Sequence, residues 1–407
     1  MNGSSSGILV VNVGSSSLKF GFYGADARPR WSGQFSGLEP GGRPSGSLAG
    51  QPIDDLRHDG HASAFDAALA WLVARIERDG VRMAAVAHRV VHGGDRFVAP
   101  CVLDAATVRE LAQYNRLAPL HQPYNLAGVE AFLRALPDVP QIGCFDTAFH
   151  HDMPEVEWRL PLPAALAEQG LRRYGFHGLS YDYVSGALRA LTPRAAGRCV
   201  LAHLGSGASL CATRDGRSVA TSMGFSPLDG LVMGTRTGSL DPGVLLHLWR
   251  EGWDLKAVER LLYRESGLMG LSGVSADMRT LRASPEPRAR QAIESFTYRA
   301  VREIGAQIAI LGGLDLLAFT GGIGENDRQL REDVATALAF AGVEIDRGAN
   351  ARVPGDRPVA VHAAGSAVDV WVVPTDEGAV AARGALDCLA QRAGAAEAVE
   401  EVATLAG

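Results

Sequence analysis

The chain has 407 residues, 47% hydrophobic and 21% charged, with a formal net charge of −6. That length exceeds one ordinary core and predicts a globular enzyme of two domains rather than a disordered chain. The negative balance argues against a nucleic-acid or membrane-surface binder, so an anion site has to be a local cluster.

Ile8–Val13 and Leu18–Tyr23 are short, β-branched and aromatic runs around Gly14-Ser15-Ser16-Ser17. They predict a hairpin with a four-residue turn, and Lys19 lies on its second strand. Residues 33–60, rich in Gly, Pro and Ser, predict irregular chain with short edge strands. Ala64–Arg78 is expected to be a helix with Phe65, Leu69, Leu72, Val73 and Ile76 on one face. A buried strand over Ala84–Val91 ends at His92-Gly93-Gly94. Helices are expected over Thr107–Arg116 and Leu126–Leu136, divided by Pro119 to Pro123. A strand over Gln141–Phe145 runs into Asp146-Thr147.

Val200–Thr213 predicts a second strand–turn–strand. Setting Gly205 on Gly14 places His203 on Asn12 and Ser206 on Ser15, as an internal duplication would. Beyond it, a helix over Ser295–Leu311, a strand over Leu314–Thr320, a loop over Gly321–Asn326 and a helix over Asp327–Phe340 follow. A strand over Val368–Val373 precedes Thr375-Asp376-Glu377, and an Ala-rich helix closes the chain, with a tail after Arg392 expected to be helical or frayed. This alternation predicts an α/β protein of two related domains.

The five cysteines are scattered without a CxxC pair, which predicts a reduced, cytoplasmic protein without structural zinc. No apolar run approaches the ~18 residues of a membrane span, and the polar start is not a signal peptide pattern. Glycine-rich strand ends let backbone N–H groups approach a phosphate, and Gly321–Asn326 before a helix is the best such case. It is neither a GxGxxG fingerprint nor a Walker A loop. Arg89 interrupts an apolar strand and must pair with a carboxylate or face a cleft as a guanidinium fork. Arg236 lies in the Gly-flanked loop Met233-Gly234-Thr235-Arg236-Thr237-Gly238. Asp146 and Glu377 follow strands and suit a hydrated magnesium ion, a helix cap or a surface role. No Ser–His–Asp order or metal-spaced histidine set occurs. Arginines, carboxylates, a lysine and Gly/Ser loops together fit phosphoryl transfer, which needs positioning and charge neutralisation.

The runs VNVGSSSLKF, HRVVHGG, APLH, FDTAFH, RYGFHG, TSMGFSPLDGLVMGTRTG, DMR and FTGGIGEN, in that order, resemble the acetate kinase family over nearly the whole chain. The resemblance implies two duplicated RNase-H-like, actin-like ATPase domains with a nucleotide cleft between them. Their expected extents are 1–147 with 379–407, and 148–378. It implies reversible, Mg2+-dependent (or Mn2+-dependent) transfer from ATP to acetate, giving ADP and acetyl phosphate, by a cytoplasmic homodimer joined through the second domain. Asn12 and Glu377 would hold the metal, and Lys19 would face the phosphates. Arg89 would bind the carboxylate, and Asp146 would be the acidic residue at the reacting centre. His177 and Arg236 would stabilise the transition state. His203, Leu204, Gly205, Ser206 and Gly207 would form a phosphate loop. Asp277, Met278 and Arg279, with Gly322, Ile323, Gly324, Glu325 and Asn326, would surround the adenosine. Val91, Leu120, Phe176 and Pro227 would form the acyl-methyl pocket.

The sequence departs from the family pattern at Ser206 for Asn, Leu179 for Thr, Tyr181 for His and Ser239 for Asp. Gln122 and Tyr124 replace Asn and Pro, and Thr280 and Asp376 depart as well. These changes bear on phosphate affinity and acyl-chain choice. A propionate or butyrate kinase is the near alternative, and a non-catalytic nucleotide-binding module the distant one.

Overall fold

The computed structural model describes residues 6–53 and 63–405. Residues 1–5 of the polar start, residues 54–60 of the expected irregular stretch and residues 406–407 of the tail lie outside the described residues. The chain divides into two compact units, Met1–Ala148 with Asp376–Gly407, and Phe149–Thr375.

The first unit is built on an eight-stranded sheet. Its strands are β1 (Ser6–Val13), β2 (Ser17–Gly24), β3 (Pro29–Ser36), β4 (Ser45–Leu48), β5 (Gln51–Pro52), β6 (Arg82–Val90), β7 (Cys101–Val102) and β8 (Gln141–Phe145). The spatial order is β5-β4-β3-β2-β1-β6-β8-β7. β1 and β2 pair antiparallel with Asn12 opposite Lys19 and Val13 opposite Leu18, leaving Gly14–Ser17 as the turn. β1, β6 and β8 run parallel, so their carboxyl ends open on one edge.

Side-chain alternation decides what covers the sheet. Leu9, Val11, Val13, Leu18, Phe20 and Phe22 form one core with Leu69, Leu72 and Ile76 of the helix Ala64–Arg78. Each large apolar side chain so buried contributes about 1.5–3 kcal/mol. Phe65 and Val73 pack at the margin of that core. Ser63 starts the helix where expected, because its hydroxyl accepts from Asp66 N at 3.1 Å. The last helix, Glu377–Leu405, lies against β1, β6 and β8.

The second unit carries a six-stranded sheet of β9 (Arg198–Leu204), β10 (Ala208–Arg214), β11 (Arg217–Thr221), β12 (Leu316–Thr320), β13 (Val359–Ala360) and β14 (Asp369–Val372). Its order, β11-β10-β9-β12-β14-β13, repeats the β3-β2-β1-β6-β8-β7 pattern strand for strand. β9, β12 and β14 are the parallel set. The second hairpin turns in the shorter Gly205–Gly207, because Leu204 faces Ala208 directly. Tyr181, Val184 and Leu188 of the helix Gly178–Arg189 pack with Leu201, Cys211, Leu316 and Ala318. The helix Pro287–Leu311 contacts β9, β10 and β11. Among the described residues no helix is long and apolar enough to cross a membrane.

Three expectations change. The helix expected over Ser295–Leu311 begins at Pro287, whereas the short edge strands expected within residues 33–60 are present as β4 and β5. The helix expected from Leu126 begins at Gln122, with Pro123 in its first turn, where a missing N–H costs nothing. Gly321–Asn326 is a short helix rather than a loop.

Candidate active site

In the first unit the site residues gather at the carboxyl ends of β1, β6 and β8. Asn12, on β1, is half-buried, and its cross-strand neighbour Lys19 is exposed on the same face. Arg89 is the next-to-last residue of β6. Its Nε donates to Asp146 Oδ1 at 2.9 Å and its Nη2 to Oδ2 at 2.7 Å. Nη1 meets Glu377 Oε2 at 2.7 Å. The pair expected of a buried arginine is thus doubled, and the fork is held rigidly from two sides. Burial alone would lower the Arg89 pKa, but the Asp146 and Glu377 carboxylates outweigh it and raise it. Asp146 is fixed by its own backbone too, its N–H donating to Val90 O at 3.0 Å. Glu377 opens the final helix, where a carboxylate suits the positive end of the macrodipole. A guanidinium carries five N–H groups, so one on each terminal nitrogen of Arg89 stays uncommitted among the described residues.

The turn after β6 is clamped by residues that the sequence reading left without a role or set at the acyl entrance. Asn125 accepts from Val91 N at 2.9 Å and donates to Val13 O at 2.6 Å, tying the ends of β1 and β6 together. Gln122 is fully buried and bonds both backbone groups of His92, accepting at 3.1 Å and donating at 2.9 Å. Gln122 therefore shapes backbone, whereas Tyr124 is exposed. Burial pushes the His92 pKa down to about 3, so its ring is neutral, and its Nδ1 accepts from Gly94 N at 2.9 Å. Val91 and Leu120 are half-buried in this unit.

In the second unit the β9–β10 turn is the focus. His177 precedes the helix Gly178–Arg189 with φ 59° and ψ 23°, a left-handed backbone that a non-glycine residue adopts at a cost of about 1–3 kcal/mol. That backbone sets its ring 4.3 Å from the His203 ring, nearly parallel, with Nδ1 2.9 Å from Ser209 Oγ. His203 Nδ1 lies 2.8 Å from Ser180 Oγ. Gly207 sits between His177 and Arg236. A Cβ added there would stand 3.2 Å from His177 Nε2 and 3.8 Å from Arg236 Nη1. Arg236 donates to Pro227 O at 3.0 Å. Phe176 and Pro227 are buried.

The nucleotide-loop candidates join this turn through backbone. Gly234 N donates to exposed Ser206 O at 3.0 Å. A Cβ on Gly205 would lie 3.7 Å from Gly322 N. Gly321 has φ 76° and would bring a Cβ within 2.8 Å of Leu204 O, so only glycine fits there. The short helix Gly321–Asn326 is held at both ends. Glu325 accepts from Gly321 N at 2.9 Å, and Arg331 donates to Gly324 O and Glu325 O, both at 2.8 Å. Arg331 is a buried positioning residue that the sequence reading did not single out. Its signal was its place on the inward stripe next to Leu330 and Val334. Asn326 folds back on Gly322 O at 2.9 Å, and Ile323 is half-buried. Asp277 caps the helix Met278–Ala283 through Thr280 N at 3.0 Å. The Arg279 hydrogen bond, with its backbone bond, lowers the Asp277 pKa. Met278 is buried, Arg279 is exposed, and Arg282 pairs with Asp327 at 3.1 Å.

Among the described residues no three His, Cys, Asp or Glu side chains gather to hold a metal by themselves. The donors available, the Asn12 amide and the Glu377 carboxylate, are hard oxygens. They fit a cation such as Mg2+ that keeps most of its waters and shares phosphate oxygens.

Residues 7–383 match the acetokinase family. An acetate kinase of Rhodopseudomonas palustris is 47% identical over 389 residues, 92% of this chain and 96% of the relative. The crystal structure of Porphyromonas gingivalis acetate kinase superposes with a TM-score of 0.82 at 34% identity, covering 95% of this chain and 100% of that one. A propionate kinase from Francisella tularensis superposes with a TM-score of 0.85 at 33% identity, covering 93% and 98%. With the sheet order repeated in both units and this match across nearly its whole length, the chain belongs to the acetokinase family.

Proposed function

We infer that this chain transfers the γ-phosphoryl group of ATP to acetate, reversibly, giving acetyl phosphate and ADP in the cytoplasm. The match to the acetokinase family along residues 7–383 carries the reading. A carboxylate nucleophile, with a pKa of about 4, is already ionised and needs no general base. The barrier is repulsion between carboxylate and phosphate. Arg89, oriented by Asp146 and Glu377, takes the acyl oxygens with its uncommitted N–H groups. Arg236 and His177 meet the charge spreading over the transferring phosphoryl group. Backbone N–H groups of Gly205, Ser206 and Gly207, with Lys19, hold the phosphates, and His203 and Leu204 support that turn. Asp277, Met278, Arg279 and Gly322 to Asn326 hold the adenosine. Val91, Leu120, Phe176 and Pro227 take the methyl group. Mg2+, held through Asn12 and Glu377, supplies charge neutralisation at the phosphates when bound.

The deciding experiment incubates the purified protein with ATP, Mg2+ and acetate and traps acyl phosphate as hydroxamate. Product is expected, and chelation by EDTA should abolish it. ATP binding without product at millimolar acetate would sink the reading. The Francisella tularensis propionate kinase supports a second acceptor. A methylene in such a pocket is worth about 1–3 kcal/mol, so kcat/KM for acetate should exceed that for propionate by roughly tenfold or more.

A homodimer is proposed with it. The helix Pro242–Arg250 buries none of its residues within the chain. Leu240, Val244, Leu246, Trp249, Trp253 and Leu255 are exposed on and beside it, an apolar cluster that a second copy would cover. Trp249→Glu should convert a dimer to a monomer in sedimentation equilibrium. A wild-type monomer at micromolar concentration would overturn the proposal.

A further inference from the structure

Behind His177 lies a buried pair of hydroxyls whose proton directions follow from counting donors and acceptors. Tyr181 is fully buried between the sheet and its own helix, with the His150 ring edge-on at 5.6 Å. Its hydroxyl makes a short hydrogen bond with Ser209 Oγ, and among the described residues that is its one hydrogen bond. Were Ser209 the donor, the phenolic proton would be buried with no acceptor, an arrangement native interiors avoid. Tyr181 therefore donates, and Ser209 Oγ accepts. The Ser209 proton then has one described partner left, His177 Nδ1 at 2.9 Å. Nδ1 is thereby an acceptor, and the ring proton sits on Nε2. Burial, with Cys211 beside it, raises the Tyr181 pKa well above the usual phenol value despite the Ser209 bond, so the phenol keeps its proton.

We propose that Ser209, which accepts from Tyr181, is a positioning residue that holds His177 as the neutral tautomer protonated on Nε2. That nitrogen is the one nearest Gly207, 3.2 Å from where a Cβ would stand. Charging the ring would put a proton on Nδ1 and leave the buried Ser209 proton without a described acceptor. The stacked His203 ring and the nearby Arg236 guanidinium disfavour a further cation as well. The catalytic consequence rests on the phosphoryl-transfer reading: His177 meets the phosphoryl group as a pre-oriented neutral N–H donor, and no proton has to move. The tautomer itself does not depend on that reading.

The test is long-range 1H–15N correlation on the full chain labelled with 15N-histidine, with His177 assigned by His177→Asn. The wild-type protein should show His177 protonated on Nε2 alone at neutral pH. Ser209→Ala removes the hydroxyl that donates to Nδ1, so the Nδ1–H form should appear. In the same variant kcat should fall roughly tenfold, with KM for acetate and ATP changed less than about twofold, as loss of one oriented donor implies. Tyr181→Phe is close to isosteric and leaves the Ser209 proton with His177 Nδ1 as its one described partner, so the Nε2–H form should persist there. A wild-type His177 protonated on Nδ1, or a tautomer unmoved in Ser209→Ala, overturns the relay. A shifted tautomer with unchanged kcat overturns its catalytic role. Absence of acyl phosphate from the wild-type enzyme would instead strike the functional reading, because the resonance experiment needs no turnover.

Discussion

Arg89→Ala should lose at least about 10²-fold in kcat/KM for acetate and should destabilise the fold at the same time. Both losses come from one geometry. Asp146 is 2% exposed, and its carboxylate takes the Nε and Nη2 hydrogens of Arg89. Removing the guanidinium takes the Arg89 hydrogen bonds from a buried carboxylate. A fully buried pair broken in this way costs about 3–5 kcal/mol. The Arg89 side chain is 23% exposed, so water offsets part of the loss, and about 2 kcal/mol is expected. Arg89→Lys should recover some stability and little rate, because a point charge cannot serve Asp146, Glu377 and a ligand together. The double variant Arg89→Ala/Asp146→Asn removes that buried charge. It should regain most of the stability and none of the rate. Urea denaturation and acetate kinetics on the three variants check this. Near wild-type turnover in Arg89→Ala would remove Arg89 from the site.

Arg89 also shows what was legible before the structure. An arginine inside an apolar strand demanded a partner, and the demand was right, but the sequence offered no way to choose between a structural pair and a ligand fork. The structure supplies the pair: three of its N–H groups bond Asp146 and Glu377, and two stay uncommitted among the described residues. Elements with strong local signals were readable to the residue. The helix Ala64–Arg78 has Ser63 as cap and a clear apolar stripe, and β8 is buried at every residue. The misreadings share one cause, helix-breaking residues placed where they break nothing. Pro123 and Pro287 occupy first turns, so helices expected to start later start at Gln122 and Pro287. Gly321, Gly322 and Gly324 read as a loop, yet Glu325 and the distant Arg331 hold the segment helical. Such tertiary bonds leave no local pattern. Gln122 misled in the other direction. Its neighbours in the motif suggested an acyl entrance, whereas its amide spans the backbone of His92.

Arg236→Ala should match Arg89→Ala in lost rate, about 10²-fold or more. The Arg236 side chain donates to the Pro227 carbonyl and the Met233 thioether. Its loop is fastened by backbone as well. Met233 N donates to Arg236 O at 3.1 Å, Thr237 N to Leu262 O at 3.0 Å, Leu268 N to Met233 O at 2.8 Å, and Gly234 N to Ser206 O at 3.0 Å. None of these needs the guanidinium. Gly207→Ala tests the same spot from the opposite side. Gly207 is not among the residues with positive φ, so alanine is tolerated by the backbone. Its methyl would instead occupy the space between His177 Nε2 and Arg236 Nη1, where the phosphoryl oxygens are expected. A rate loss in Gly207→Ala with an unchanged melting temperature would mean that the space between the two side chains matters as well as the charge. Full activity there would mean that the transferring group does not pass between His177 and Arg236, and the role given to both would fall together.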